Sequence, residues 1–380
     1  MAFLNPEIYT PPRGLQKFLY FHWGLAILLT AAAATGFLML FSVAGGSMQP
    51  WVTPQMIRYG VGFIAMILIA MFPIRFWLIM SIPAYLVCLG LLLLVEFIGV
   101  TGMGAKRWID LGFMRLQPSE LAKIGVVMVL AAYYHWIPQD RVSHPLYILP
   151  PVILIAIPMG LTVIQPDLGT SVLIGFSGSI VMFLAGVSWW YWGTALAAGI
   201  GGIFAVMQSR GSEWQILKDY QYRRIETFLD PSKDPLDAGY HITQSQIALG
   251  SGGWTGRGFM QGTQSRLNFL PEKHTDFIFT TLAEEFGVVG GLGLLLLYIL
   301  IIGFCVASAL TNAHRFGAIL TLGIAVTFFS FFAVNMGMVM GLLPVVGVPL
   351  PLVSYGGSAM IVLMAAFGLV QSAHIHKLPV

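Results

Sequence analysis

Charged side chains are scarce in this sequence. Asp, Glu, Lys and Arg together make up 9% of its residues, against roughly 25% in an average soluble domain. Apolar residues contribute 57% and aromatic residues 13%, and the mean hydropathy is +0.82. This composition excludes an ordinary soluble globular chain, and the long uncharged runs predict an all-α polytopic membrane protein. Because those runs do not alternate with polar residues, a transmembrane β-barrel is excluded as well.

Cysteine is nearly absent. Cys88 and Cys305 both lie within apolar runs, where a small buried hydrophobic side chain is the ordinary role of a cysteine. A disulfide framework and a cysteine-based zinc site are therefore excluded. Glycine and proline are abundant, with 43 and 21 residues, which fits closely packed membrane helices with breaks.

Apolar runs near the roughly 20 residues that a bilayer demands follow one another along the chain. They predict a single domain over residues 1–380 with ten membrane helices, at 18–43, 55–72, 77–99, 118–136, 146–164, 168–186, 189–207, 283–308, 316–341 and 353–373. An even number of spans places both termini on one side of the membrane. The short loops on that side hold Arg13, Lys17, Arg75, Arg141, Arg315 and Lys377. This excess of basic residues predicts cytoplasmic termini, with residues 1–17 as a short tail.

One connection is far longer than the others. Residues 208–275 separate the seventh and eighth predicted helices and are expected on the extracytoplasmic side. Their basic residues are Arg210, Lys218, Arg223, Arg224, Lys233, Arg257, Arg266 and Lys273. An anionic ligand would explain these charges. A solvated loop of mixed charge explains them equally well, because acidic residues accompany them.

A polar segment at 104–123 leads into the fourth predicted helix. Pro118 suits the first helical turn, and Glu120 and Lys123 are three positions apart on one face. A Glu and a Lys that enter a membrane together commonly neutralise each other, which is a structural role for the pair.

The same segment also allows a functional interpretation. Lys106, Arg107 or Lys123 could meet a phosphate group, with Trp108 as a flat apolar platform beside it. Trp108 by itself is more typical of a membrane-interface anchor.

Asp167 opens the sixth predicted helix within the sequence Gln-Pro-Asp-Leu-Gly-Thr-Ser. An acid at this position commonly caps a helix, because it accepts hydrogen bonds from unpaired amides at the positive end of the helix dipole. A helix start that faces the outer side could also receive an anion or a metal ion.

Two further segments are rich in glycine or proline. Residues 250–258 contain five glycines, which could let backbone amides approach a phosphate, although a flexible turn is favoured because no strand precedes them. Residues 341–358 predict irregular backbone at membrane depth, which survives only when it is buried in protein or lines a cavity. Ser354, Tyr355 and Ser358 could line a cavity for a lipid head group or serve as structural hydroxyls.

Residues 270–279 hold the densest cluster of titratable side chains. Glu272, Lys273, His274 and Asp276 precede the eighth predicted helix. Asp276 is either an ordinary acid at a helix start or a general base, since neighbouring basic groups keep a carboxylate ionised.

Glu284 and Glu285 follow this cluster inside the apolar run. Acids in such a run require partners. Lys123 is a candidate partner for them.

Seven segments carry a resemblance to a known family. They are GAKRWIDLG, QPSELAK, QPDLGTS, GYHITQSQIALGSGG, GTQSRLNFLPEKHTDFIF, AEEFG and LLPVVGVPLPLVSYGGSAM. Together they resemble the SEDS family over essentially the whole chain, and its elongation members more than its division members. The resemblance implies a peptidoglycan glycosyltransferase that polymerises lipid II on the outer face of the bacterial cytoplasmic membrane. Its expected partners are a class B penicillin-binding protein and other membrane proteins of the elongation complex, and no nucleic acid.

The resemblance also implies roles for individual residues. The family's essential aspartate matches Asp276, its sensitive tryptophan matches Trp108, and other motif positions match Glu120, Lys123 and Asp167. On this hypothesis Asp276 takes the proton of the acceptor sugar hydroxyl and the anomeric configuration inverts.

Lys106, Arg107, Lys123 and the loop arginines, Arg223 among them, would offset negative charge on the leaving diphosphate. His274 and Ser354 complete the predicted substrate-binding residues. A divalent cation, Mg²⁺ or Mn²⁺, could also offset charge on the diphosphate, although no set of metal ligands is recognisable in the sequence.

A lipid II flippase is the main alternative, because intramembrane charges and broken helices also fit alternating access. A flippase needs a polar path through both leaflets. Residues 25–40 and 289–304 instead carry almost no ionisable groups, and the polar clusters lie on the outer side. This distribution favours a polymerase with one polar chamber. A scaffold without activity is the third hypothesis.

Overall fold

Helices dominate the computed structural model, which describes residues 12, 14–102, 105–112, 114–212, 214–215, 222, 226, 238–263, 273–345 and 347–377. The ten long helices in these residues are α2 (Trp23–Val43), α3 (Val52–Met71), α4 (Ile74–Ile98), α5 (Pro118–Trp136), α6 (Pro145–Ile164), α7 (Leu168–Leu184), α8 (Trp189–Gln208), α10 (Ile278–Leu310), α11 (Arg315–Val339) and α12 (Gly357–Ile375). A four-residue α1 (Lys17–Tyr20) precedes them, and α9 (Ala238–Ser251) lies within the long loop.

Each predicted span overlaps one long helix, which confirms the predicted polytopic helical architecture. Eight of the helices in the described part of the chain are long and apolar enough to cross a membrane. The two others are α5 and α7. They adjoin predicted site residues, since α5 contains Glu120 and Lys123 and α7 begins directly after Asp167.

Helix α5 lies in the middle of the bundle. It packs against α4, α6, α7 and α11, and most of its residues from Pro118 to Tyr134 are buried. Polar side chains on such a helix face protein instead of lipid, which is where membrane proteins tolerate them. The position of α5 therefore explains why it can be less apolar than its neighbours.

A small antiparallel sheet precedes α5, although the sequence analysis predicted only helices. Its strands are β1 (Val100–Gly102), β2 (Ala105–Asp110) and β3 (Arg115–Leu116), in the order β1-β2-β3. The register pairs Val100 with Trp108 and Asp110 with Arg115. Strands β1 and β3 are too short to show a pattern, and the residues of β2, Ala-Lys-Arg-Trp-Ile-Asp, do not alternate between apolar and polar.

The glycine-rich segment 250–258 is a packed element and not the flexible turn that the sequence favoured. It lies against a break in α10 at Gly287, whose φ of 66° and ψ of −161° are not helical. The amides of Arg257 and Gly258 donate to the carbonyl oxygens of Glu284 and Glu285, each at 3.0 Å. Because these amides are already used, they are not available to bind a phosphate.

Replacing Gly252 by alanine is expected to destabilise the protein. A Cβ atom on Gly252 would lie 2.0 Å from the carbonyl oxygen of Ala283, a backbone atom that cannot move aside freely. Overpacking of this kind typically costs about 1–3 kcal/mol. The measurement is the free energy of unfolding of the purified protein in detergent.

Gly250→Ala is the matched control for this substitution. A Cβ atom there meets nothing within 4 Å, and alanine is favoured over glycine within a helix by roughly 0.5–1 kcal/mol. Equal free energies of unfolding for the two variants would contradict this packing, because they would show that the backbone around Gly252 can move to accommodate a Cβ atom.

Candidate functional site

An irregular segment between α11 and α12, described over residues 340–345 and 347–356, forms one wall of the candidate site. Asn335 on α11 anchors it, because its Nδ2 donates to the carbonyl oxygen of Val348 at 2.7 Å. The same nitrogen donates to the carbonyl oxygen of Asp276 at 2.8 Å. One buried amide thereby holds the irregular segment and the Asp276 backbone together.

Ser354 makes a second link between the same two stretches. Its Oγ donates to the carbonyl oxygen of Thr275 at 2.5 Å and accepts from the amide of Leu350 at 2.8 Å. The carbonyl oxygen of Ser354 accepts from Nε2 of Gln55 at 2.9 Å. This buried serine has the structural role, and it also lines the cavity described below, whereas its contact with a lipid head group stays a prediction.

Asp276 lies in a turn formed by residues 273–277, immediately before α10. Its side chain is half-buried, and a Cβ atom on Gly347 would lie 3.5 Å from its Oδ2. The carboxylate therefore sits where the turn meets the irregular segment, close to the start of a helix, as predicted.

The residues before Asp276 are held by packing and by the backbone. The His274 ring stacks on Trp51 with centroids 4.7 Å apart, and its carbonyl oxygen accepts from the amide of Tyr355 at 2.9 Å. Lys273 is buried, and this desolvation lowers the pKa of its ammonium group. Glu272, the remaining acid of the predicted cluster, lies outside the described residues.

A partly open cavity lies between α5, α11, α12 and the irregular segment. Its polar wall is made by Glu120 and Lys123 on α5. Lys123 Nζ donates to Glu120 Oε1 at 2.8 Å, which confirms the predicted pair. Lys123 is only 1% exposed and lies over the Phe331 ring, 3.8 Å from its centroid.

Two sets of contacts relate the cavity to the Asp276 turn. Phe331, whose ring lies against Lys123, and Asn335, which bonds the Asp276 carbonyl oxygen, are four positions apart on α11, about one helical turn. Ser354, which lines the cavity, is bonded to the residue before Asp276. The structure thus places the buried Lys123 and the Asp276 turn along the same stretch of α11.

Asp167 and Arg107 meet beside this region. Asp167 Oδ1 accepts from the amide of Thr170 at 3.2 Å, so the predicted N-cap is confirmed. Its Oδ2 lies 3.7 Å from Arg107 Nη1 and accepts from Gln117 Nε2 at 3.3 Å. These contacts fasten the β-sheet segment to the start of α7.

Trp108 covers the start of α12. A Cβ atom on Gly357 would lie 3.9 Å from its ring, and the neighbouring Ser358 Oγ accepts from the amide of Gln117 at 3.0 Å. Lys106 has a different environment, because its Nζ donates to the carbonyl oxygen of Glu96 at 2.6 Å at the end of α4. Arg223, another predicted substrate-binding residue, lies outside the described residues.

The partner predicted for the two acids in α10 is wrong. Glu285 accepts a hydrogen bond from Ser42 Oγ on α2, and Glu284 Oε1 accepts from the amide and the hydroxyl of Thr263, at 2.7 and 3.0 Å. Lys123 pairs with Glu120 instead. Both acids lie against the packed glycine segment, which sequence spacing alone does not reveal.

Four residues of the site were missed in the sequence. Asn335 and Gln55 hold the irregular segment, Trp51 supports His274, and the Arg58 guanidinium lies over the Tyr355 ring at 4.7 Å. A single amide within an apolar run, as at Asn335, is a signal that could have been used, because such groups require partners in a membrane. Nothing in the local sequence marks Trp51 as a support for a distant histidine.

No group of three or more His, Cys, Asp or Glu side chains suited to a metal ion occurs among the residues that the structure describes. No ligand set for a divalent cation is therefore assigned, and a requirement for Mg²⁺ or Mn²⁺ stays a prediction.

Comparison with known proteins identifies the class. The family described as "cell cycle protein", which groups FtsW, RodA and SpoVE, matches residues 22–378. The chain is therefore a member of this family, the SEDS family of polytopic membrane proteins.

Three individual proteins make the likeness more specific. Peptidoglycan glycosyltransferase MrdB of Escherichia coli (strain K12) is 42% identical over 364 residues, covering 93% of both chains. A solved chain from a peptidoglycan synthase complex that coordinates polymerization and crosslinking has a TM-score of 0.79 and 32% identity, covering 93% of this chain and 97% of that one. The crystal structure of the rod shape-determining protein RodA of Thermus thermophilus has a TM-score of 0.69 and 29% identity, covering 93% and 96%.

Proposed function

We propose that this protein is a peptidoglycan glycosyltransferase that joins lipid II units into glycan strands during cell elongation. The observation that carries the proposal is the placement of the Asp276 turn beside a cavity walled by the buried Glu120–Lys123 pair. The likeness to MrdB and to RodA supports the reaction and the elongation role.

The proposed reaction is one displacement at an anomeric carbon. Asp276 accepts the proton of the acceptor's 4-hydroxyl as that oxygen attacks the donor sugar. The new carbon–oxygen bond forms on the face opposite the diphosphate, which leaves with the electron pair of the broken bond. An α-linked donor therefore gives a β-linked product.

Positive groups near the cavity would stabilise the leaving diphosphate. Lys123 lines the cavity, and Arg107 on β2 pairs with Asp167 at the start of α7. Lys123 forms an ion pair with Glu120, and Arg107 forms one with Asp167. These ion pairs would hold the two cations in place before the substrate binds. Preorganised charges of this kind act on the transition state without reorganisation at the moment of reaction.

A class B penicillin-binding protein is the proposed partner, because polymerised strands must then be crosslinked. The support is the likeness to a chain of a synthase complex that coordinates polymerization and crosslinking. The contribution of other elongation-complex membrane proteins is proposed from the family resemblance alone.

Reconstitution with purified lipid II tests the function. The protein is expected to give long glycan strands on a gel when its penicillin-binding partner is present, and chelation of divalent cations in the same assay tests the metal requirement. Lipid II movement across proteoliposomes without any polymer would contradict the proposal and favour a flippase.

The protein is a multi-pass membrane protein, and we propose that the Asp276 end of the bundle faces outward and both termini face the cytoplasm. The prediction is that Thr255→Cys reacts with a membrane-impermeant maleimide in spheroplasts, whereas Ala313→Cys reacts only after permeabilisation. Both positions are exposed, and the native Cys88 and Cys305 are buried, so background labelling is expected to be low. If Ala313→Cys reacts in intact spheroplasts and Thr255→Cys reacts only after permeabilisation, the protein has the opposite orientation in the membrane.

A further inference from the structure

A second group of basic side chains lies at the end of the bundle opposite the Asp276 turn. It joins the end of α5, the start of α4 and the start of α11, and its members are Arg75, His135, His314 and Arg315. The His135 and His314 rings are stacked, with centroids 4.9 Å apart and planes 10° apart. The Arg315 guanidinium donates to the carbonyl oxygen of Ile137 at 2.6 Å, which holds it beside His135.

Arg75 completes this basic cluster. Arg75 lies at the start of α4, which packs against α5, so it is at the same end of the bundle as His135 near the end of α5. Burial lowers the pKa of His314, and the neighbouring His135 and Arg75 lower it further. Arg75 is exposed, whereas the other three side chains are half-buried. The cluster is therefore open to the surface on one side and enclosed by helices on the other.

The basic cluster has no described counter-ion. Within the described residues, neither Arg75 nor Arg315 forms an ion pair. The acid next to the cluster along the chain, Asp140, is 3.9 Å from Arg141. Buried nitrogens of His135 (Nδ1), His314 (Nδ1) and Arg315 (Nη2) also have no hydrogen-bond partner in this part of the chain. Buried polar groups are normally bonded, so these nitrogens are available to a ligand at this cluster.

The starts of α4 and α11 also favour a bound anion. Both α4 and α11 have no acid in the first turn and place an arginine there, Arg75 or Arg315. A positive side chain at the positive end of a helix dipole is unfavourable. A bound anion would offset both the arginine charges and the dipoles.

Exposed aromatic residues set the depth of the basic cluster. Trp136 follows His135 and is 56% exposed, and Phe72 lies three positions before Arg75 and is 47% exposed. Exposed aromatic side chains at the ends of membrane helices are typical of the head-group level. The anion that fits this depth is a lipid phosphate, and basic pockets between membrane helices bind acidic lipid head groups elsewhere.

We propose that Arg75, His135, His314 and Arg315 form a binding site for the phosphate of an acidic phospholipid, in the leaflet opposite the candidate active site. Under the topology proposed above, that leaflet is the cytoplasmic one. Phosphatidylglycerol is the probe, with phosphatidylcholine as the zwitterionic comparison and inorganic phosphate as the soluble source of the same chemistry.

The test measures the affinity of each probe for the full-length purified protein, for example from lipid-dependent thermal shifts in detergent. Arg75→Gln is expected to weaken phosphatidylglycerol binding about fivefold, the effect of removing one positive charge near a head group. Arg75→Lys keeps the charge and should keep the affinity. Arg141→Gln is the matched control, because Arg141 is a basic residue near the same end that already has Asp140 beside it.

Arg75 is exposed, so its substitution is expected to leave the fold intact. The melting temperatures of the variants in phosphatidylcholine, measured first, check this. Equal phosphatidylglycerol affinity for Arg75→Gln and the native protein would overturn the site. Inorganic phosphate that binds as tightly as the lipid would overturn the assignment to a membrane lipid.

Discussion

Replacing Asp276 by asparagine is expected to reduce glycan polymerisation by about 10²-fold or more, because removal of a general base typically costs 10²–10⁴-fold. Asparagine has nearly the same shape but cannot take the proton of the acceptor hydroxyl. Asn335 should still hold this turn in the variant, because it bonds the carbonyl oxygen of residue 276, which the substitution keeps. The assay is the rate of strand formation from lipid II with the penicillin-binding partner present.

A matched control is available in the small sheet. Asp110 is exposed and lies 3.9 Å from Arg115, a surface pair of the kind that contributes little to stability. Asp110→Asn should therefore polymerise lipid II at the native rate. If Asp276→Asn is well folded by its melting temperature and also polymerises at the native rate, Asp276 is not the base.

Local patterns in the sequence were sufficient for much of the fold. The ten spans follow from apolar run length, since a bilayer sets the length of a helix that crosses it. The Glu120–Lys123 pair and the Asp167 cap were also predictable, because both join residues only three positions apart. The candidate base could be located as an acid at the start of a helix.

The environment of that base could not be predicted, because its contacts join distant parts of the chain. Asn335 reaches Asp276 across 59 positions, and Ser354 reaches Thr275 across 79. The partner of Glu285 is Ser42, 243 positions away. Spacing rules describe neighbours on one helix. The sequence therefore offers Lys123, a cation at the start of an apolar run, as a partner for the buried glutamates, whereas a serine hydroxyl gives no such signal.

Breaking the buried Glu120–Lys123 pair is expected to have the largest effect on stability. Lys123→Met would leave the Glu120 carboxylate uncompensated inside the bundle, and loss of one partner of a buried pair typically costs about 3–5 kcal/mol. The double variant Glu120→Gln/Lys123→Met leaves no buried charge at this pair, so its free energy of unfolding should return towards the native value. Unfolding of the three proteins in the same detergent measures this difference.

The polymerisation activity of the double variant distinguishes a catalytic role of the Glu120–Lys123 pair from a purely structural one. If Lys123 stabilises the leaving diphosphate, the double variant is folded but loses activity, because methionine supplies no charge in the cavity. A double variant that regains both stability and polymerisation would assign the pair to structure alone. Phe331, which lies against Lys123, and Asn335, which bonds the Asp276 carbonyl oxygen, are about one helical turn apart on α11. A catalytic Lys123 and a catalytic Asp276 would then act on opposite sides of one reaction, the first on the departing diphosphate and the second on the attacking hydroxyl.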